Sequence, residues 1–259
     1  MIVDTHCHLN DKRFESDLEA VIARARAAGV TGMIIPGADP SELERAIEIS
    51  ESHEGIYFAV GVHPYDKAQF DIGYLERHIT HPRCIAVGEC GLDYFRLPED
   101  AHEKAAEKAE QQEIFRAQIA LAKKYGKPLI VHIREASQDS LEILKAEDAG
   151  AVGGILHCYN ASPILLELAD HGFYYGIGGV VTFKNARKLV EILPEIPQER
   201  LLIETDAPYL TPHPHRGERN EPFYTTLVAQ KMAEILQMPQ EDLEAMVLEN
   251  TRRIFKGYF

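Results

Sequence analysis

Two histidines one residue apart, His6 and His8 in Ile2-Val3-Asp4-Thr5-His6-Cys7-His8, close an apolar run at the start of the chain. On a β-strand alternate side chains share a face, so both imidazoles can reach one metal ion while Cys7 points the other way. Paired thiolates, the mark of a structural zinc knuckle, are missing from this stretch. By itself a His-x-His fits two surface histidines as well as a metal site. Its weight comes from what recurs downstream, where Glu89, His132, His157 and Asp206 each end a short apolar run. Taken singly, each is as well explained as a hydrogen-bonded core residue. Taken together, four imidazoles and two carboxylates in one ring, with no counter-cation, would cost several kcal/mol for each buried charge. A metal centre removes that cost. Six ligands exceed the four positions of one tetrahedral ion and suit two ions about 3.5–4 Å apart that share a carboxylate. Glu89 can bridge, because it has two oxygens and its strand lies between the two ligand groups. The mixed nitrogen and oxygen set suits Zn²⁺, Mn²⁺, Fe²⁺, Ni²⁺ or Co²⁺, and Mg²⁺ less naturally.

These residues need a scaffold that brings strand ends together. Short apolar runs predict strands at Ile2–His8, Gly32–Ala38, Tyr57–His63, Cys84–Glu89, Pro128–Ile133, Gly153–Cys158, Tyr174–Gly179 and Leu201–Asp206. They are continuous rather than alternating, as in a parallel sheet buried on both faces. Helical spacing fills the intervals at Ser16–Ala28, Ser41–His53, Glu103–Tyr125, Ala136–Ala146, Ser162–His171 and Asn185–Leu193, and two more helices follow at Pro222–Leu236 and Gln240–Phe255. Gly29, Gly126 and Gly172 stand where helices end, and Ser41 and Ser162 where they begin. Eight βα units with no break in composition predict a single (β/α)₈ TIM barrel, one domain over residues 1–259, with the metal site at the C-terminal rim of the strands. An open doubly wound sheet is the alternative. It loses support because no GxGxxG follows the first strand and no GxxxxGK[ST] occurs. Residues 95–112 are charged and alanine-rich and read as a solvated loop running into a long helix, with a possible lid role.

The length of 259 residues suits one such barrel, and 45% hydrophobic with 26% charged residues is ordinary globular composition. No apolar run approaches the roughly 20 residues that span a bilayer, and the first residues do not read as a signal peptide. Cys7, Cys84, Cys90 and Cys158 lack CxxC spacing and read as reduced thiols in a cytoplasmic protein. The formal charge of −14 argues against a protein that coats duplex nucleic acid passively. A nuclease stays open, because bound cations supply local positive charge.

Two motifs frame the ring. In Glu204-Thr205-Asp206-Ala207-Pro208 the period-two rule puts Glu204 and Asp206 on one face, where Glu204 either orients a ligand or pairs with a neighbouring Lys or Arg. In Pro212-His213-Pro214-His215-Arg216-Gly217-Glu218-Arg219-Asn220 the prolines stiffen a loop in which Arg216 and Arg219 could grip phosphate; a solvated basic loop is the other reading. Tyr65, Tyr94, Phe95, Tyr159, Phe183 and Tyr209 fall near the rim, where they could stack bases or serve packing.

The ordered set Asp4-Thr5-His6-Cys7-His8, Gly61-Val62-His63-Pro64, Gly88-Glu89-Cys90-Gly91-Leu92-Asp93-Tyr94, Val131-His132-Ile133-Arg134, Leu156-His157-Cys158-Tyr159, Glu204-Thr205-Asp206-Ala207-Pro208 and Arg216-Gly217-Glu218-Arg219-Asn220 resembles the TatD family of metal-dependent deoxyribonucleases, within the amidohydrolase-like TIM barrels. The match spans the chain in order. The resemblance implies that His6, His8, Glu89 and Asp206 hold one divalent ion and that Glu89, His132 and His157 hold a second. It implies that His63, Arg134 and Arg216 face substrate. Glu89 stands where many amidohydrolases carry a carboxylated lysine, which narrows the match to TatD.

The expected reaction is metal-assisted hydrolysis of DNA phosphodiesters, with Asp206 as general base and Glu89 bridging the ions. Trimming of single-stranded DNA from the 3′ end is what the resemblance suggests. D-aminoacyl-tRNA deacylation, small-molecule amide, lactone or phosphoester hydrolysis, and a non-catalytic metal-stabilised binding role are the rivals.

Overall fold

The computed structural model describes residues 1–259. Eight parallel strands lie in chain order: β1 (Ile2–Asp4), β2 (Val30–Ile35), β3 (Ile56–Val60), β4 (Cys84–Asp93), β5 (Leu129–Arg134), β6 (Gly154–Leu156), β7 (Phe173–Ile177) and β8 (Leu201–Ile203). The ends of the sheet meet. Thr5 N donates to Ile203 O, Asp206 N to His6 O, and His8 N to Ala207 O, with Cys7 and Ala207 bridged in parallel. The sheet is therefore a closed (β/α)₈ barrel, and the open doubly wound alternative is excluded.

The helices are α1 (Leu18–Ala27), α2 (Leu43–Ser52), α3 (Ile72–His78), α4 (Ala101–Tyr125), α5 (Ser137–Ala146), α6 (Arg187–Ile192), α7 (Thr225–Leu236) and α8 (Gln240–Ile254). The short α3 is absent from the sequence expectation. Its seven residues hold too few turns to show a clear period, although Asp71 caps it through Gly73 N and Tyr74 N. The segment after β6, Pro163–His171, is a 3₁₀ helix rather than an α-helix. Before α2, Asp39 rather than Ser41 takes the capping role, accepting from Ser41 N. Gly126 (φ 62°) and Gly172 (φ 79°) end their helices in the left-handed conformation.

Residues 95–112 run from a loop into a long helix as expected, with the helix starting at Ala101 rather than Glu103. Asp100 caps α4 by accepting from His102 N and Glu103 N, which leaves only 95–100 irregular. Two buried glutamines of α4 pin the backbone of site-bearing segments. Gln111 exchanges hydrogen bonds with Asp93 N and O, and Gln118 with Val62 N and O.

Inside the barrel, Ile34, Ala59, Ile85, Ala86, Ile130, Ile155, Tyr174 and Leu202 pack with Phe255 from the C-terminal tail. Their strand neighbours Met33, Ile35, Leu129, Val131, Leu156, Leu201 and Ile203 belong to the larger core cluster outside the lumen. Side chains alternate across a strand, so two residues beyond Ile130, Ile155 and Leu202 the inward face carries His132, His157 and Glu204. The lumen's hydrophobic floor and its polar mouth are consecutive layers of one register.

Candidate metal centre

β4 departs from that register on purpose. Val87 faces the outer core, and strict alternation would send Glu89 outward with it. A bulge between Val87 and Cys90 in the pairing with β5 shifts the phase by one residue. Cys90 and Leu92 then join the outer core, while Glu89 and Asp93 turn inward. Gly88 (φ 149°) and Gly91 (φ 142°) make this possible. A Cβ at Gly88 would meet Ile130 O at 2.4 Å, and one at Gly91 would meet His132 O at 2.1 Å.

The strands at the seam are shorter than expected. β1 stops at Asp4 and β8 at Ile203, so His6, His8 and Asp206 lie just past strand ends. His157 and His63 likewise follow the ends of β6 and β3. His6 and His8 still share a side, with their Nε2 atoms 3.2 Å apart. Asp206 adopts φ 58°, a conformation that aspartate tolerates far better than a β-branched residue.

Around Glu89 the ring closes. Its Oε2 lies 3.3 Å from His6 Nε2 and 3.8 Å from His8 Nε2, and its Oε1 lies 3.0 Å from His132 Nδ1 and 3.8 Å from His157 Nε2. Asp206 Oδ1 is 3.4 Å from His8 Nε2, 3.7 Å from His6 Nε2 and 3.9 Å from His157 Nε2. The His6 and His157 rings stack at 3.4 Å. These separations, from 3.0 to 3.9 Å, lie around the ~3.3 Å edge of a tetrahedron of donors, each about 2.0–2.1 Å from a central ion. His6, His8 and Asp206 form one group able to hold an ion, and His6, Glu89 and His157 another. Glu89 is buried, as are His6 and His157, while His8, His132 and Asp206 are partly open to solvent.

Charge in the ring is balanced by the imidazoles. Burial opposes ionisation of Glu89, but the His6 and His157 charges and hydrogen bonds from His132 and His6 hold its carboxyl well below the usual range. Burial also opposes charge on His157, yet Glu204 and Glu89 raise it to about 10. Two carboxylates among converging imidazoles, largely buried, form a donor set that suits divalent ions.

Each histidine on the second side is held from behind by a carboxylate. His132 turns Nδ1 to Glu89 and Nε2 to Asp93 Oδ2, at 2.9 Å. His157 turns Nε2 to the ring and Nδ1 to Glu204 Oε1, at 2.9 Å but without the alignment of a hydrogen bond. Glu204 also accepts from Cys158 N at 2.7 Å. Its partners are therefore a histidine and a backbone amide rather than a lysine or arginine, which decides between its two readings. Asp93 is a functional neighbour that the ligand motifs alone do not single out; its sign in the sequence is its place four residues after Glu89.

His63, Asp93 and His132 also approach within ligand range of one another. However, His63 Nδ1 accepts from Tyr65 N at 3.1 Å, so the neutral ring carries its proton on Nε2 and offers a donor there. Burial, with His132 nearby, lowers the His63 pKa to about 4 and keeps that ring neutral.

Arg134 and Arg216 are exposed at the rim and lie over Phe95 (3.6 Å) and Phe183 (3.9 Å). Arg96 and Arg13 cover Tyr65 and Tyr209 in the same way. Tyr65, Phe95 and Tyr209 are exposed, whereas Tyr94 and Tyr159 are buried with their hydroxyls bonded to Asp139 and Ser162 O, which makes them packing residues. Arg219 does not reach for phosphate. It is held by Asp17 (2.7 Å) and Glu221 (2.8 Å) and serves as an anchor for its loop.

A family model described as "TatD related DNase" matches residues 3–256. The chain belongs to the TatD family. It is 44% identical over 260 residues to the Bacillus subtilis (strain 168) protein called "Uncharacterized metal-dependent hydrolase YabD", covering 99% of each chain. It is 34% identical to "3'-5' ssDNA/RNA exonuclease TatD" of Edwardsiella piscicida, covering 98% of this chain and 99% of that one. The crystal structure of YjjV, a TatD homolog from Escherichia coli K12, superposes with a TM-score of 0.89 at 29% identity, covering 98% of this chain and 97% of that one. This TatD chain is a metal-dependent hydrolase whose histidine and carboxylate groups are able to hold metal ions. No helix in it is long and apolar enough to cross a membrane.

Proposed function

We propose that this TatD protein is a 3′–5′ exonuclease on single-stranded DNA, holding one divalent ion on His6, His8, Glu89 and Asp206 and a second on Glu89, His132 and His157. Two relatives of 34% and 35% identity carry the name "3'-5' ssDNA/RNA exonuclease TatD". The observation that carries the reading is the rim: three guanidinium–aromatic pairs (Arg96/Tyr65, Arg134/Phe95, Arg216/Phe183) beside the carboxylate–imidazole ring. Exposed aromatic faces stack unpaired bases, and guanidinium groups contact the backbone phosphates between them. A small amide or lactone needs neither.

Divalent ions at these ligands would polarise a phosphoryl oxygen and lower the pKa of water toward neutrality. Asp206 engages the imidazoles through Oδ1, which leaves Oδ2 to accept the proton of the attacking water. His63 donates Nε2–H to a phosphoryl oxygen. Arg134 orients the scissile phosphate and offsets the charge that develops on it, while Arg216 grips the strand beside it. Asp93 keeps His132 in the tautomer that points a lone pair into the ring, and Glu204 backs His157 from the far side. Four unpaired thiols support a cytoplasmic location as part of this reading.

The test is hydrolysis of 5′-labelled single-stranded DNA by metal-stripped protein reloaded with Zn²⁺, Mn²⁺, Mg²⁺, Ni²⁺, Co²⁺ or Fe²⁺, with Glu89→Ala as control. A ladder that shortens from the 3′ end with metal and vanishes in Glu89→Ala is the expected result. No cleavage by protein that holds two ions would overturn the reading and turn attention to aminoacyl-tRNA esters and small-molecule esters.

A further inference from the structure

We infer that the pocket between the loops after β7 and β8 binds a second, non-scissile phosphate of the strand being cut. This rests on the nuclease reading above. The pocket has a volume of about 500 Å³ and is lined by Phe183, Lys184, Asn185, His213 and Arg216. The chain has 41 acidic residues against 27 basic ones, yet no carboxylate lines this pocket. Its lining residues carry a guanidinium, an ammonium, an amide and an imidazole, a set dominated by donors. Phosphate is the complementary ligand, because it is anionic and offers only acceptors. A metal cation is a poor fit for the same reason.

The site is built rather than incidental. Arg216 donates Nη1 to Thr211 O at 2.9 Å, a neutral partner, so its orientation is held while its charge stays uncompensated. Phe183 backs the guanidinium face from the other loop. His213 N donates to Thr182 Oγ1 at 2.8 Å, which ties the two loops together, and Pro212 and Pro214 stiffen the backbone on either side. The loop that carries His213 and Arg216 follows β8 and includes Asp206, so a short run of chain joins the pocket to the ring. In barrels of this architecture the loops after strands 7 and 8 are a frequent place for phosphate.

The experiment uses the metal-loaded full chain with two substrates. Bis(p-nitrophenyl) phosphate has a single phosphate and cannot fill the pocket while it reacts; a labelled single-stranded 12-mer can. Lys184→Gln and His213→Gln, both at exposed positions, are expected to raise KM for the 12-mer about fivefold to tenfold and to leave bis(p-nitrophenyl) phosphate turnover within about twofold. Lys184→Gln should lower the slope of log KM against log salt by about 0.7, the loss of one single-strand phosphate contact. Lys184→Arg should restore KM. An unchanged 12-mer KM and salt slope in Lys184→Gln, with the wild type cutting normally, would overturn the subsite alone. Equal losses on both substrates would also overturn it, as general damage. Inorganic phosphate separates the two sources of the ligand. If it alters bis(p-nitrophenyl) phosphate hydrolysis in wild type but not in Lys184→Gln, while the 12-mer KM does not change, the pocket serves free phosphate and the inference falls. A wild type that cuts no oligonucleotide overturns the nuclease reading, and the subsite with it.

Discussion

Asp93 Oδ2 stands 2.9 Å from His132 Nε2, on the side of the ring opposite the 3.0 Å contact between His132 Nδ1 and Glu89. The imidazole is gripped at both nitrogens by carboxylates, and only one of the two faces the ring's centre. Burial opposes charge on His132, but Asp93 and Glu89 raise its pKa. Asp93→Ala should free the ring to rotate. If His132 holds the second ion as proposed, affinity for that ion is expected to fall about 10-fold to 100-fold, the usual cost of removing a partner behind a metal-ligating histidine. Metal analysis after dialysis against limiting Zn²⁺ checks this: the ratio should fall from two ions per chain toward one, with an unchanged circular dichroism spectrum. Two ions retained at wild-type affinity would refute the role.

Gly91→Ala tests the bulge in β4. The new Cβ would lie 2.1 Å from His132 O in a backbone conformation with φ 142°. Both faults act on the strand that carries Glu89 and Asp93. Stability should drop by at least about 2 kcal/mol. Urea denaturation of the metal-free protein measures it without interference from ligand binding.

Arg219 and Arg216 should separate cleanly. Arg219 is committed to Asp17 and Glu221, so Arg219→Ala is expected to cost about 1 kcal/mol of stability and to leave the salt dependence of oligonucleotide KM unchanged. Arg216→Ala should do the reverse, raising KM and flattening the salt slope. Thermal melts and KM at two salt concentrations on both variants give the comparison.

The thiols offer a check on the fold that is independent of activity. Cys7, Cys84 and Cys90 are fully buried. Burial pushes the Cys84 thiol up to about 11 and raises Cys7 and Cys90 as well. The reactive form is the thiolate, so a raised pKa suppresses alkylation until pH approaches it; at pH 8 only about one Cys84 thiol in a thousand is ionised. Iodoacetamide at pH 8 should leave these three unmodified in the native protein and label them after denaturation. Rapid native labelling of Cys84 would contradict the packing at the base of the barrel.

The ligand types, their order and the eight-unit alternation were all legible in the sequence, because they depend on periodicity and residue chemistry alone. Apolar runs mark strands, and a histidine or carboxylate at the end of each marks the rim. His132 and His157 come to that rim by simple period-two counting from Ile130 and Ile155. Counting fails at Glu89. From Val87 it predicts an outward side chain, and only pairing with β5 creates the bulge that turns Glu89 and Asp93 inward. Counting also misleads in the loop after β8, where Arg216 and Arg219 look equivalent. The sequence cannot show that Asp17, 202 residues away, lies against Arg219 and neutralises it. Which groups could do chemistry was thus set locally, by residue type and spacing. Which of them face the centre, and which are held by a partner, was decided by barrel closure, because strand register and ion pairing join segments that the chain itself keeps far apart.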